Sequence, residues 1–104
     1  MNKALVALLF GGLLVPTTAV MASTGEELFK AKACVACHSV DKKLVGPAFH
    51  DVAAKYGAQG DGVAHITNSI KTGSKGNWGP IPMPPNAVSP EEAKTLAEWI
   101  VTLK

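Results

Sequence analysis

The stretch Cys34-Val35-Ala36-Cys37-His38 holds both cysteines of the 104-residue chain, three positions apart and followed directly by a histidine. This is the C-x-x-C-H signature of covalent c-type haem attachment. Two thiols at this spacing can reach the two vinyl groups on one edge of a porphyrin, and the next residue can bring its imidazole to the iron. We therefore predict that Cys34 and Cys37 form the thioethers of one haem c and that His38 is an axial iron ligand.

Three other roles for the motif are less well supported by the sequence. A disulfide between Cys34 and Cys37 would close a very small loop and stabilise the fold little. A thioredoxin-like redox pair belongs in a βαβ unit, and no part of this chain alternates as a strand does. A zinc site needs four ligands, which His38 and one of His50 or His65 would complete only at an unusual spacing.

A second unusual segment lies between Gly73 and Ser89, where about 15 residues show no regular pattern; loops of that length are uncommon and usually functional. It places Met83 among four prolines: Pro80, Pro82, Pro84 and Pro85. Prolines reduce the freedom of the unbound loop, so holding the sulfur in one place costs less ordering entropy. His50, His65 and the lysines are alternative sixth ligands of the iron, and we favour Met83.

The first 22 residues have the order of a secretory signal peptide. A basic start at Lys3 precedes an apolar run from Ala4 to Val15, which is shorter than the roughly 20 residues of a membrane span. We expect cleavage after Ala22, export to the periplasm and a single mature domain of residues 23–104, with no membrane span. That domain has nine lysines and eight acidic residues, so no basic stripe suggests a nucleic-acid partner.

The rest of the chain predicts an all-α fold. Thr24 and Glu27 form a capping-box pattern for a first helix that runs to about Ala33. Further helices are predicted over Phe49 to Tyr56, from Asp61 as N-cap to Gly73, and from Ser89 as N-cap with Pro90 at the first helical position. In the last one, apolar residues recur at helical spacing from Ala93 to Leu103.

From residue 23 to its end, the chain resembles the small periplasmic class I cytochromes c of the cytochrome c-551 (c8) type. The resemblance rests on the C-x-x-C-H motif and on the stretches Val45–Ala48, Asp51–Tyr56 and Trp78–Asn86, the last being close to diagnostic. It implies about four short helices wrapped around one covalently bound haem. The chain departs from some relatives at Ser69, where they carry a basic residue.

The resemblance also implies roles for single residues. Met83 corresponds to the sixth iron ligand, and the Pro47 carbonyl to the acceptor of the His38 Nδ1 proton. Trp78 corresponds to the indole that donates to a haem propionate, and Asn86 to the side chain that orients the methionine sulfur. Phe29 and Trp99 correspond to the contact at which the first and last helices cross.

An iron with two protein ligands has no open position for a substrate, so we expect a one-electron carrier and not an enzyme. A haem enzyme or gas sensor with Met83 dissociated, and a haem-free thiol or zinc protein, are the alternatives. Redox partners are expected to dock transiently on the monomer near Val35, Ala36, Pro82 and Pro84, for example on the way to a nitrite reductase or terminal oxidase. Lysines that could border this edge are Lys32, Lys42, Lys43 and Lys75.

Overall fold

The computed structural model describes residues 11–12 and 23–104, and within them it contains four α-helices and no strand. The helices are α1 (Gly25–Ala31), α2 (Phe49–Tyr56), α3 (Gly62–Thr72) and α4 (Pro90–Ile100), with a 3₁₀ turn at Cys34–Ala36. The predicted all-α class is confirmed. The predicted signal peptide, apart from Gly11 and Gly12, lies outside the described residues and stays a prediction.

The crossing of α1 and α4 brings the two ends of the domain together. Phe29 of α1 and Trp99 of α4 pack with their ring centroids 5.6 Å apart, as the resemblance implied. A side chain at Gly25 would collide with Cβ of Trp99 and approach the Thr95 carbonyl to 3.2 Å. Glycine at this position therefore allows the close approach of the two helices.

The core joins all four helices and consists of apolar side chains. Within the described residues no polar or charged side chain is buried. Ala93, Leu96 and Ala97 in α4 are almost completely buried, and around them lie Leu28, Phe29, Phe49, Val52, Tyr56, Ile66, Ile70 and Ile100. None of the helices in this part of the chain has the length and hydrophobicity that crossing a bilayer takes.

The observed helix ends agree only in part with those predicted from the sequence. Ser89 and Glu92 form the complete capping box at α4, whereas at α1 the Thr24 hydroxyl accepts from the Glu27 N–H without the return bond, among the bonds described. Asp61 occupies the N-cap of α3 but makes no side-chain bond there. The predicted extension of α1 to about Ala33 is wrong by two residues, because Ala33 has a left-handed backbone with φ of 61°.

The strained backbone of Ala33 predicts a stabilising substitution. An L-residue in the left-handed region costs about 1 kcal/mol or more, which glycine avoids at the cost of a more flexible unfolded chain. We expect Ala33→Gly to raise the free energy of unfolding by about 0.5–1 kcal/mol in denaturant titrations of the haem-loaded protein. Ala64→Gly, at an exposed position inside α3, is the control and should lower it by about 1 kcal/mol. Equal losses in both variants would contradict the left-handed geometry.

The Glu92 carboxylate predicts an acid-dependent contribution to stability. The Ser89 backbone N–H donates to it at 2.9 Å and, together with Lys32 at 3.4 Å, holds the pKa of this carboxyl below its ordinary value. Its contribution is therefore present at neutral pH and is lost as the pH falls through the lowered folded-state pKa. We expect the stability advantage of wild type over Glu92→Gln to shrink in acid, as measured by denaturant titrations at several pH values. A constant difference would contradict this linkage.

Candidate functional site

The cysteine pair lies on the short turn that follows α1. The 3₁₀ geometry bends the chain so that the N–H groups of Cys37 and His38 both donate to the Cys34 carbonyl, at 3.2 and 2.9 Å. Burial raises the pKa of the Cys34 thiol above its ordinary value in the folded chain. The turn presents Cys34, Cys37 and His38 to one cavity.

The His38 ring is held by the segment that precedes α2. Its Nδ1 lies 2.8 Å from the Pro47 carbonyl oxygen, and since a carbonyl only accepts, Nδ1 carries the proton and Nε2 keeps a free lone pair. The Gly46 N–H donates to the Cys37 carbonyl at 2.8 Å, and a Cβ on Gly46 would collide with the imidazole. The imidazole is therefore fixed in one tautomer, with the nitrogen that can bind a metal exposed.

The Met83 backbone is tied to the end of α3. Ser74 and Met83 exchange two backbone hydrogen bonds, of 3.0 and 2.8 Å, in an isolated antiparallel bridge. Gly73, next to Ser74, has φ of +88°, and a Cβ there would lie 2.7 Å from the Met83 carbonyl oxygen. The loop can approach α3 this closely only because residue 73 is glycine.

Asn86 and Trp78 connect the same loop to the helices. Asn86 Nδ2 donates to the carbonyls of Ile70 and Pro84, at 3.0 and 3.3 Å, and thereby joins the loop to α3. Trp78 is 39% exposed. The Lys55 ammonium lies over its indole, 4.7 Å from the ring centroid, a cation–π contact that holds the indole beside α2.

These elements line one apolar cavity that is open to the surface. All seven residues that the sequence proposed for the site line it, and they are Cys34, Cys37, His38, Pro47, Trp78, Met83 and Asn86. Its apolar wall includes Val52, Ile66, Ile70, Leu96 and Ile100. Residues that are far apart in the sequence thus meet around a single space.

The two other histidines have different places. His65 lines the cavity and stacks on Tyr56, with ring centroids 4.4 Å apart. Helical spacing alone does not indicate that His65 lies at the cavity, because this placement depends on tertiary packing. His50 does not line the cavity, because its Nδ1 is paired with the Leu103 carbonyl near the end of the chain.

The residues around the cavity fit a flat apolar cofactor that contains iron. They provide two thiols on one turn, an imidazole nitrogen and a thioether sulfur, which are the attachment and ligand groups of a His/Met c-type haem. Nowhere in the described residues do three His, Cys, Asp or Glu side chains come together as a zinc site would need.

Comparison with known proteins agrees with this site. Residues 22–104 match the family model described as Cytochrome c. Cytochrome c-551 of Pseudomonas aeruginosa is 54% identical to this chain, and the alignment covers 97% of this chain and 96% of that protein. Cytochrome c-551 of Ectopseudomonas mendocina is 64% identical, and the alignment covers 79% of this chain and all of that protein. The crystal structure of Nitrosomonas europaea cytochrome c552 superposes with a TM-score of 0.74 at 52% identity, covering 76% of this chain and 99% of that one.

The chain therefore belongs to the cytochrome c family, as a class I member with the all-α fold of that class. Within the class it is of the c-551 type. It carries one covalently bound haem c and transfers electrons; it is not an enzyme.

The close contact between Gly73 and the Met83 carbonyl predicts that a side chain at residue 73 would displace the loop that carries Met83. We expect Gly73→Ala to weaken the far-red absorption band of ferric iron–sulfur coordination, because its Cβ pushes the Met83 carbonyl away from α3. Gly76→Ala is the matched control: Gly76 has a similar φ of +82°, but no atom lies within 4 Å of the place that a Cβ would take there. Both variants bear a backbone strain of about 1–2 kcal/mol, and only the first should change the band. Equal bands in the two variants would contradict the role of Gly73.

Proposed function

We propose that this protein carries one electron at a time between respiratory redox proteins in the periplasm, with Cys34 and Cys37 attached to the haem and His38 and Met83 as its axial ligands. The observation that supports the proposal is that an imidazole and a thioether-bearing residue, each held by hydrogen bonds, line the same apolar cavity. His38 is held there by the Pro47 carbonyl, and the Met83 backbone by Ser74. The bound haem supplies a one-electron ferric/ferrous couple at its iron.

The protein's own residues keep the two ligands in place in both oxidation states. Pro47 keeps the His38 proton on Nδ1, so Nε2 stays available as a donor. Ser74 holds the backbone of Met83 and Asn86 fastens the loop after it, so the thioether does not have to be repositioned when the charge changes. The apolar wall excludes water, and a haem held by His38 and Met83 would have its ferrous state favoured by the thioether ligand. Small rearrangement is what an electron carrier requires.

The surface next to the site supports a transient apolar docking area. Ile81 is 62% exposed and Val45 53% exposed, and Leu44 and Val35 are about half exposed. We propose that partner proteins, such as a nitrite reductase or a terminal oxidase, contact the monomer here. Lys32 is paired with Glu92 at 3.4 Å, so Lys42, Lys43 and Lys75 are the better candidates for charged contacts with a partner.

The periplasmic location rests on the leader-like sequence. We propose that residues 1–22 are removed on export and that the mature domain is 23–104. The family match begins at residue 22 and α1 begins at Gly25, so cleavage after Ala22 would leave α1 to α4 intact. Mass measurement of the purified periplasmic protein tests the cleavage position.

Docking on the apolar area predicts how partner kinetics respond to substitution. We expect Ile81→Ala to slow reduction by a physiological partner more than Lys42→Gln does. A domain with nearly balanced charge has weak long-range steering, so the lysine effect should stay within about twofold. Stopped-flow rates at several salt concentrations provide the measurement, after spectra show that both variants keep the wild-type haem environment. Equal effects, or a larger one for Lys42, would count against apolar docking.

The axial ligands are tested by optical spectroscopy. The protein is produced with cytochrome c maturation machinery, and ferric and ferrous spectra are recorded with and without carbon monoxide. Wild type should show the far-red iron–sulfur band and bind no carbon monoxide, whereas Met83→Ala should lack the band and bind it readily. Wild-type protein that binds carbon monoxide and lacks the band would overturn the ligand assignment and favour a sensor or enzyme.

A further inference from the structure

The ring of Phe49, the first residue of α2, packs against the imidazole of His38. The two ring centroids are 4.9 Å apart and the planes are inclined by only 28°, a stacked arrangement. Phe49 is 4% exposed, so this contact belongs to the interior. It is separate from the hydrogen bond between His38 and Pro47, which acts at one ring atom.

Phe49 itself has little freedom to move. Its ring meets that of Phe29 at 5.2 Å and 60°, and that of Trp99 at 5.9 Å and 89°, both edge-on contacts. Its backbone N–H donates to the Ser39 carbonyl at 3.0 Å, directly after the histidine. The face that Phe49 presents to His38 is thus fixed by α1, by α4 and by the chain next to the motif.

The hydrogen bond to Pro47 fixes the tautomer of His38 but acts at a single point of the ring. An imidazole held at one nitrogen can still turn about an axis through that bond. A flat ring stacked on its face opposes this rotation, and the close approach of Gly46 to Cε1, Nδ1 and Nε2 limits the space further.

We propose that Phe49 is a positioning residue for the haem ligand: its ring sets the plane of the His38 imidazole and so the orientation in which the ligand's π orbital meets the iron. This rests on the proposal that His38 is an axial ligand. Three residues of the segment Gly46–Phe49 then act on the same imidazole. Gly46 leaves room for the ring, Pro47 accepts its hydrogen bond and Phe49 stacks on its face.

The orientation of an iron-bound imidazole affects spectra that do not respond to a simple loss of stability. In low-spin ferric haem, the orientation of the ligand's π orbital influences which haem methyl groups carry the largest paramagnetic NMR shifts, and it influences the EPR g values. These readouts change when the ring turns and stay unchanged when the fold is only less stable. They therefore separate positioning from ordinary core packing.

The experiment compares three variants of the haem-loaded protein. Phe49→Leu removes the flat face but keeps an apolar side chain, and Phe49→Tyr keeps the face. Leu28→Ala is the control, because Leu28 is buried to a similar degree in α1 but does not line the cavity. We expect Phe49→Leu to change the pattern of haem methyl shifts and to displace the largest g value. Phe49→Tyr and Leu28→Ala should keep the wild-type pattern, although Leu28→Ala lowers the midpoint of thermal unfolding.

A wild-type pattern in Phe49→Leu would overturn the proposal, and so would the same altered pattern in Leu28→Ala. If Phe49→Leu does not yield haem-loaded protein, Phe49→Met, which fills more of the space without a flat face, carries the same expectation. The far-red band and the strongly shifted imidazole proton signals of the ferric wild type, recorded first, show whether the assignment of Met83 and His38 as ligands has itself failed. The two failures are therefore distinguishable.

Discussion

The hydrogen bond from the His38 Nδ1–H to the Pro47 carbonyl is the interaction on which the rest of the site depends. It connects the turn that carries the cysteines to the segment that starts α2, and backbone bonds from Gly46 to Cys37 and from Phe49 to Ser39 reinforce the connection. Because these bonds lie close together, the imidazole, the attachment turn and α2 behave as one unit. Another part of the cavity lining is built separately, from the end of α3 and the proline-rich loop.

The small size of the domain explains why its cavity lies at the centre of the core. A chain of about 80 residues removes only about 60% of its unfolded surface from water, so its apolar core is limited. Here several core residues, among them Val52, Ile66 and Leu96, also line the haem cavity. A bound haem would pack against these buried side chains. The haem therefore contributes to the packing of the core as well as to electron transfer, and its covalent attachment keeps it in the cavity.

Short-range patterns allowed much of this structure to be predicted. The C-x-x-C-H motif identified the cofactor, and capping residues and apolar spacing located the helices, with Ser89 and Glu92 forming the complete box at α4. The end of α1 was missed because a left-handed backbone at Ala33 has no sequence signal when the residue is not glycine. The stacking of Phe49 on His38 and the place of His65 at the cavity arise from tertiary packing, which helical spacing alone does not encode.

The contact between α1 and α4 has a consequence for the order in which the molecule is assembled. The first helix comes directly before the cysteine turn, but its partner is the last helix of the chain, and Trp99 is needed to complete the aromatic packing around Phe29 and Phe49. A chain that emerges from its N-terminus exposes the two thiols well before α4 exists. Modifying machinery can therefore reach the attachment turn before the contact between α1 and α4 forms. Because this contact joins residues far apart in the sequence, we expect it to form late in folding.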